Sequence, residues 1–369
     1  MKILFDNQVF NNQQFGGISR YFAELMHGIS NDPLHRLMPE KLYSTNFYLS
    51  DKNLLKNQFF FNYPTFRGKA RINSFLVDKQ NKLITSLISK GDYDIFHPTY
   101  YDSKFLENLH NKPFVLTVHD MIHELYLDTE YNKIHSETLN KQLLIPKASH
   151  IIAVSQNTKN DILKLYPEIS PEKISVIHHG NSLRVNNNVI QMELPEKYLL
   201  FVGQRDAYKN FNWMIDTLKD YLTDTNISVI CAGGSKFKLD EIEILNHLGL
   251  ANKVIQIPID ADHTLAHLYQ NAVCFVYPSK YEGFGIPILE AFACQCPVII
   301  SNSSCFPEIA GDAALYFNLE KPFELLENLR IVQETEQRNV LIAKGNNQLK
   351  KFSWQKSVYQ HLAVYNKLR

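Results

Sequence analysis

Short, continuous apolar runs alternate with longer amphipathic stretches along almost the whole chain. A continuous apolar run bounded by polar residues fits a strand buried on both faces, and an amphipathic stretch fits the helix that covers it. The alternation therefore predicts βαβ units around parallel sheets. A first series of strands is expected at residues 2–5, 95–97, 114–118, 151–154 and 174–177. Residues 18–29 read as a helix, and so do 156–165, opened by Ser155 as N-cap.

The rhythm breaks at RVNNNVIQMELPEK, a polar stretch with three consecutive Asn that ends near a proline. It resumes with strands expected at 198–202, 227–232, 254–257, 273–277 and 298–301. The pattern divides the chain into an α/β domain at 1–184, a linker at 185–197 and a second α/β domain at 198–351. The amphipathic segment 352–369 is expected to return to the first domain. A chain of 369 residues agrees with two domains at about 100–200 residues each.

Composition narrows the classes. Lys+Arg and Asp+Glu each number 38, and a formal charge of zero argues against a dedicated nucleic-acid binder. The sum hides a local excess: between residues 52 and 90, eight basic side chains face only Asp78. Phe59, Phe60, Phe61, Tyr63 and Phe66 are interleaved with them, so this segment is a candidate contact with an anionic membrane. A solvated helix and loop with core aromatics fits the same residues. No run approaches the ~18 apolar residues of a membrane-spanning helix, and the opening apolar run is too short for a signal peptide. Five cysteines without CxxC spacing speak against a disulfide framework or zinc knuckle and for a reducing cytoplasm.

In open α/β sheets ligands bind beyond the carboxyl ends of the strands, so polar residues there are the candidates for chemistry. After the strand ending at Tyr277 come Glu282, Gly283, Phe284 and Gly285. Pro287 then suits the start of a helix that carries Glu290 in its first turn. Glycines admit close approach to backbone N–H groups, and a helix N-terminus favours an anion such as a diphosphate. Carboxylates on either side can accept hydrogen bonds from sugar hydroxyls. A Gly-rich turn with two solvated or capping glutamates fits the spacing equally. His119 and Asp120 end another strand, and Gly16 and Gly17 lie between the first strand and its helix.

The stretch EGFGIPILEAFACQCPVI resembles the signature of retaining GT-B glycosyltransferases of family 4. GGISRY, TVHD, AVSQNTKNDI, VIHHGN and VGQRDAYKN resemble further family segments in the same order. Within that family the chain is most similar to bacterial O-antigen and capsule glycosyltransferases, several of which transfer mannose.

The resemblance implies a GT-B fold, with two Rossmann-like domains facing a cleft and the acceptor on the first. It implies transfer of a sugar, with mannose from GDP-mannose as the leading candidate, from a nucleotide-diphosphate donor. The hydroxyl that receives it would belong to a glycan or lipid-linked oligosaccharide of cell-surface polysaccharide synthesis. Glu282 would bind the donor sugar and Glu290 the ribose. Backbone N–H groups from Gly283 through Phe284 and Gly285 to Ile286, with Gly16 and Gly17, would meet the diphosphate. Lys209 would stabilise the departing nucleotide. The family's Arg after the strand-ending glycine is Gln204 here, and Arg205, one residue later, is the expected replacement. His119 would contact the donor sugar or diphosphate, while Arg20 is either an acceptor contact or an ion-paired arginine.

No cofactor and no metal site are expected. Asp92-Tyr93-Asp94 has a metal-site spelling but precedes a buried strand. The enzyme is expected in the cytoplasm, peripheral to the inner face of the plasma membrane, with no nucleic-acid partner. A nucleotide-sugar epimerase and a non-catalytic sugar-binding subunit are the competing readings.

Overall fold

A computed structural model describes residues 1–58, 68–125, 136–185, 192–205, 207–259 and 261–369. Phe59, Phe60, Phe61, Tyr63, Phe66 and Arg67 of the basic segment, and 186–191 of the expected linker, lie outside the described residues. The chain forms two compact units, one of Met1–His179 with Ser353–Arg369, the other of Gly180–Phe352.

Among the described residues the first unit carries six parallel strands. β1 (Lys2–Phe5) lies between β2 (Arg36–Met38) and β3 (Ile95–His97), with Ile3 opposite Leu37 and Ile95. β4 (Val115–Val118), β5 (His150–Ala153) and β6 (Ile174–Val176) form a second group, and a parallel bridge from Phe96 to Phe114 joins the groups. Ile3, Leu4, Phe5, Ile95, Phe96, Val115 and Ile151 are fully buried, as the continuous apolar runs require.

The helix Gly17–Ser30 packs against the last helix, Trp354–Lys367. Contact is close: a Cβ on Gly28 would lie 2.4 Å from a Val358 methyl carbon, so only glycine fits there. The last helix buries Val358, Leu362 and Tyr365 in the core of the first unit. Ser353 caps it by accepting the Lys356 N–H.

The second unit is one six-stranded parallel sheet in the order β12-β11-β10-β7-β8-β9. Its strands are β7 (Lys197–Val202), β8 (Ile227–Ala232), β9 (Val254–Ile257), β10 (Cys274–Tyr277), β11 (Val298–Ser301) and β12 (Leu315–Phe317). β7 pairs with β8 on one side and with β10 on the other. The chain therefore leaves β7 toward one edge and returns at β10 to build the other, which makes the β7/β10 boundary a topological switch point. All five cysteines are free and buried. Burial pushes the thiols of Cys231, Cys274 and Cys294 up to about 12, so they pack as small apolar groups.

Candidate functional site

The two loops that leave the β7/β10 switch point meet. After β7 a short 3-10 turn, Ala207–Lys209, presents Lys209. After β10 the chain runs through Ser279 to Glu282. The Lys209 ammonium donates to Glu282 Oε1 at 2.6 Å and to the Tyr277 hydroxyl at 2.9 Å. Ser279 donates to the same Glu282 oxygen at 2.9 Å, and the Ser304 hydroxyl accepts the Glu282 N–H at 3.0 Å. Both charged side chains are 13% exposed, so the pair is reachable but held. Lys280 N–H donates to Tyr208 O at 2.8 Å, which ties the two loops by backbone as well.

Three residues after Glu282, Gly285 caps the helix Ile286–Ala293 in the left-handed region, at φ 86°. A side chain there would be strained and would press on Ile288 and Phe306. Pro287 occupies the first turn, as its missing N–H suits. Glu290 lies in the second turn rather than the first, because the helix starts at Ile286. It is 6% exposed and accepts from the Tyr269 hydroxyl at 3.3 Å. Burial beside this carboxylate pushes the Tyr269 hydroxyl well above its ordinary range, so Tyr269 stays a donor.

Arg205 is placed differently from Lys209. Its Nε donates to Glu241 Oε1 at 2.7 Å, and a second nitrogen donates to Ser235 O at 2.8 Å. The guanidinium lies 4.7 Å from the Phe237 ring centre, and its side chain is 2% exposed. Glu241 in turn accepts the Lys238 N–H at 2.6 Å at the start of the helix Leu239–His247. Arg205 thus holds the turn after β8, where Gly233 and Gly234 both have positive φ, and spends its charge on Glu241.

In the first unit, His119 follows β4 and is 7% exposed. Tyr21 packs edge-on to it at 5.3 Å, and His179 stacks parallel at 6.3 Å. The Tyr101 hydroxyl accepts the His119 N–H at 3.0 Å. The buried Nε2 of His119 has no partner among the described residues, a condition that calls for a ligand or water. Burial pushes His119 down to about 4, with Asp120 pulling up and Lys141 pushing down more weakly, so the ring is neutral near pH 7.

His97 is structural. Its Nδ1 meets the Tyr365 hydroxyl at 2.6 Å and its Nε2 meets Thr117 at 2.9 Å. Tyr21 joins the same network through Thr117 at 2.9 Å and His361 at 2.6 Å. Gly16 is the N-cap of the helix Gly17–Ser30, and the Gln13 side chain accepts the Ser19 N–H at 3.2 Å there. Arg20 is buried, with its guanidinium 4.5 Å over the Tyr48 ring and a hydrogen bond to its hydroxyl at 3.1 Å. Asp92 and Asp94 are taken up by the Lys2 ammonium and backbone N–H, at 2.5 and 2.7 Å. Among the described residues no group of three or more His, Cys, Asp or Glu is arranged to hold a metal ion.

Sequence reasoning did not single out Tyr277, Ser279, Ser304, Tyr101, Lys141 or His179 for the site. Tyr277 read only as the end of a strand, although strand ends were the guide. His179 lies just beyond β6, in the VIHHGN segment, and the strand-end rule applies to it as it does to His119.

Two family models match consecutive parts of the chain: Glycosyltransferase Family 4 over residues 50–184 and Glycosyl transferases group 1 over residues 186–348. The O-antigen chain mannosyltransferase RfbU of Salmonella typhimurium is 30% identical over 268 residues, 73% of this chain and 72% of that protein. The chain belongs to the family 4, group 1 glycosyltransferases. It is an enzyme of the transferase class. The O-antigen chain mannosyltransferase B of Escherichia coli is 27% identical over 293 residues, 75% of each chain. Among solved structures, Anabaena Alr3699/HepE in complex with UDP and glucose superposes with a TM-score of 0.73 at 16% identity, over 99% of both chains. Sucrose-phosphate synthase from Thermosynechococcus elongatus does so with 0.72 at 18% identity, over 100% of this chain and 98% of that one. The fold is GT-B.

Proposed function

We propose that this glycosyltransferase moves a sugar from a nucleoside-diphosphate donor to a hydroxyl of a growing cell-surface glycan or lipid-linked oligosaccharide, with retention of anomeric configuration. GDP-mannose is the leading donor, supported by the two O-antigen mannosyltransferases among the relatives. The observation that carries the reading is the Lys209–Glu282 pair astride the β7/β10 switch point.

Lys209 supplies the fixed cation for the diphosphate, whose oxygens gain negative charge as the bond to the anomeric carbon breaks. Its arrival frees Glu282 to accept from sugar hydroxyls, with Ser279 still donating to the carboxylate. Glu290 takes the ribose hydroxyls, and the backbone from Gly283 to Ile286 takes the diphosphate. The neutral ring of His119 offers its unpartnered Nε2 to the donor. The acceptor oxygen bonds to the anomeric carbon on the face the diphosphate leaves, and a diphosphate oxygen receives the acceptor proton. With Lys209 as the cation, the reaction proceeds without a metal. Arg205 serves this site indirectly, by fixing the turn after β8.

The helix Lys69–Lys90 supports a peripheral place on an anionic membrane. It buries only Gln80, Ile84 and Ile88. Arg71, Phe75, Lys79 and Lys82 are exposed and share one face by helical spacing, with Phe75 68% exposed. Basic residues around an aromatic suit acidic headgroups.

A thermal-shift panel of GDP-, UDP- and dTDP-sugars, followed by transfer to an acceptor glycan with and without EDTA, tests the reading. The largest stabilisation is expected from GDP-mannose, and transfer should survive EDTA. No shift with any nucleotide sugar would refute it.

A further inference from the structure

Lys141 is a lysine where none is expected. It sits on the helix Ser136–Lys147 with a side chain 1% exposed. Burying an ammonium is costly unless its partners are well placed, so such a residue is retained for what it holds. Its Nζ donates to the backbone carbonyl of Asp120 at 2.9 Å and to Glu124 Oε2 at 3.1 Å. Asp120 Oδ1 lies 3.8 Å away, and the Tyr101 ring centre 5.1 Å. Tyr101 is also the residue whose hydroxyl accepts the His119 N–H. The His119–Asp120 segment is therefore gripped twice, by Tyr101 at the His119 N–H and by Lys141 at the Asp120 carbonyl. Asp120 Oδ1 accepts the Ile122 N–H at 3.2 Å and turns the chain just beyond the grip.

We propose that Lys141 is a positioning residue for sugar transfer: it clamps the peptide that carries His119 and pairs with the buried carboxylate of Glu124, with that of Asp120 close by. The proposal rests on the glycosyl-transfer reading above. Without the clamp, the carbonyl of Asp120 loses its buried donor, and the peptide that carries His119 keeps only the Tyr101 contact at the His119 N–H. A misplacement of about 1 Å at a reacting centre costs roughly 100-fold in rate.

The charge has a second consequence. His119 is surrounded by Asp120 on its own loop, Lys141, Tyr101, Tyr21, His97 and His179. Asp120 favours the protonated ring and Lys141 opposes it. Removing Lys141 leaves Asp120 unopposed, so His119 should take up a proton at a higher pH.

The test uses the full chain with GDP-mannose, or whichever nucleotide sugar the thermal-shift panel selects, and an acceptor glycan. Lys141→Met keeps the apolar stem and removes the charge. Because it leaves the buried Glu124 carboxylate without its cation, Lys141→Met/Glu124→Gln is measured beside it as the variant that restores the wild-type net charge of the cluster. The expected result is a fall in kcat of about 10- to 100-fold, with donor KM within about threefold of wild type. The acid limb of the kcat profile should move to higher pH. Lys141→Arg, which keeps the charge, should leave the acid limb in place. Wild-type kcat and an unmoved acid limb in a folded Lys141→Met or double variant would overturn the proposal. An inactive wild type would instead refute the functional reading, which separates the two failures.

Discussion

The two units place polar groups beyond their strands in opposite electrostatic styles. Beyond β7 and β10, a cation and a carboxylate are already paired, Lys209 with Glu282, and both stay partly exposed. Beyond β4, the ring of His119 is buried, uncharged near pH 7 and surrounded by Tyr21, Phe22 and His179. The first arrangement can exchange one anion for another at little electrostatic cost, because Lys209 never loses a counter-charge. The second keeps its ring uncharged and leaves one nitrogen open to a hydrogen bond. A charged diphosphate suits the first, and a neutral sugar or hydroxyl suits the second.

The comparison breaks most directly at Glu282. Glu282→Ala should abolish transfer, a loss of about 1000-fold or more, with the circular dichroism spectrum and melting temperature close to wild type. Full activity in the folded variant would remove Glu282 from the site. His119→Ala should cost less, about 100-fold in kcat, since one hydrogen bond to the transition state is lost while the diphosphate cation stays in place. Equal losses in the two variants would erase the distinction between the charged and the neutral site.

Acid should separate the units by stability. Burial holds His119 and His361 at about 4, and holds His97 and His179 well below their ordinary value, all four in the first unit. In the unfolded chain these rings take up protons near pH 6.5, before the folded rings do. Their contribution is therefore complete above about pH 6.5 and lost as pH falls toward 4, on the order of 3 kcal/mol each for His119 and His361. Hydrogen-exchange protection of β4 should drop more than that of β7 between pH 7 and pH 5. Equal drops in the two strands would contradict the assignment of a neutral, buried cluster to the first unit.

Arg205 sharpens the contrast within the second unit. Arg205→Ala leaves Glu241 buried without its partner and should destabilise the protein by about 3 kcal/mol. Its effect on donor affinity should be smaller than that of Lys209→Ala. A normal melting temperature with lost donor binding would mean that Arg205 leaves Glu241 for the diphosphate. The smallest effect is expected at the membrane face. Charge reversal of Arg71, Lys79 and Lys82 should reduce sedimentation with anionic liposomes and leave transfer to a soluble acceptor unchanged. Unaltered sedimentation would remove the membrane contact.

The long strands and the alternation of layers were legible because apolar runs buried on both faces have few alternatives. β2 and β12 were missed: β2 opens on the exposed Arg36 and stops before Pro39, and β12 buries only Phe317. Lys209 and Glu282 could be singled out because each follows a strand in sequence. Their contact could not, because it depends on β7 and β10 being neighbours, which strand order in sequence does not reveal. Arg205 illustrates the limit from the other side. Its position beside Gln204 suggested a phosphate ligand, but its partner, Glu241, lies 36 residues away on a helix. Lys141 gave no signal, since a lysine in an amphipathic helix ordinarily points to water.

The Lys209–Glu282 pair as donor site is tested most directly by titrating GDP, and the nucleoside diphosphate of the best donor if that differs, into three proteins by calorimetry. Wild type should bind, and Lys209→Ala should bind at least about tenfold more weakly. Glu282→Gln should bind at least as tightly as wild type, because the diphosphate no longer competes with a carboxylate for Lys209. Equal affinity in wild type and a folded Lys209→Ala would contradict the account.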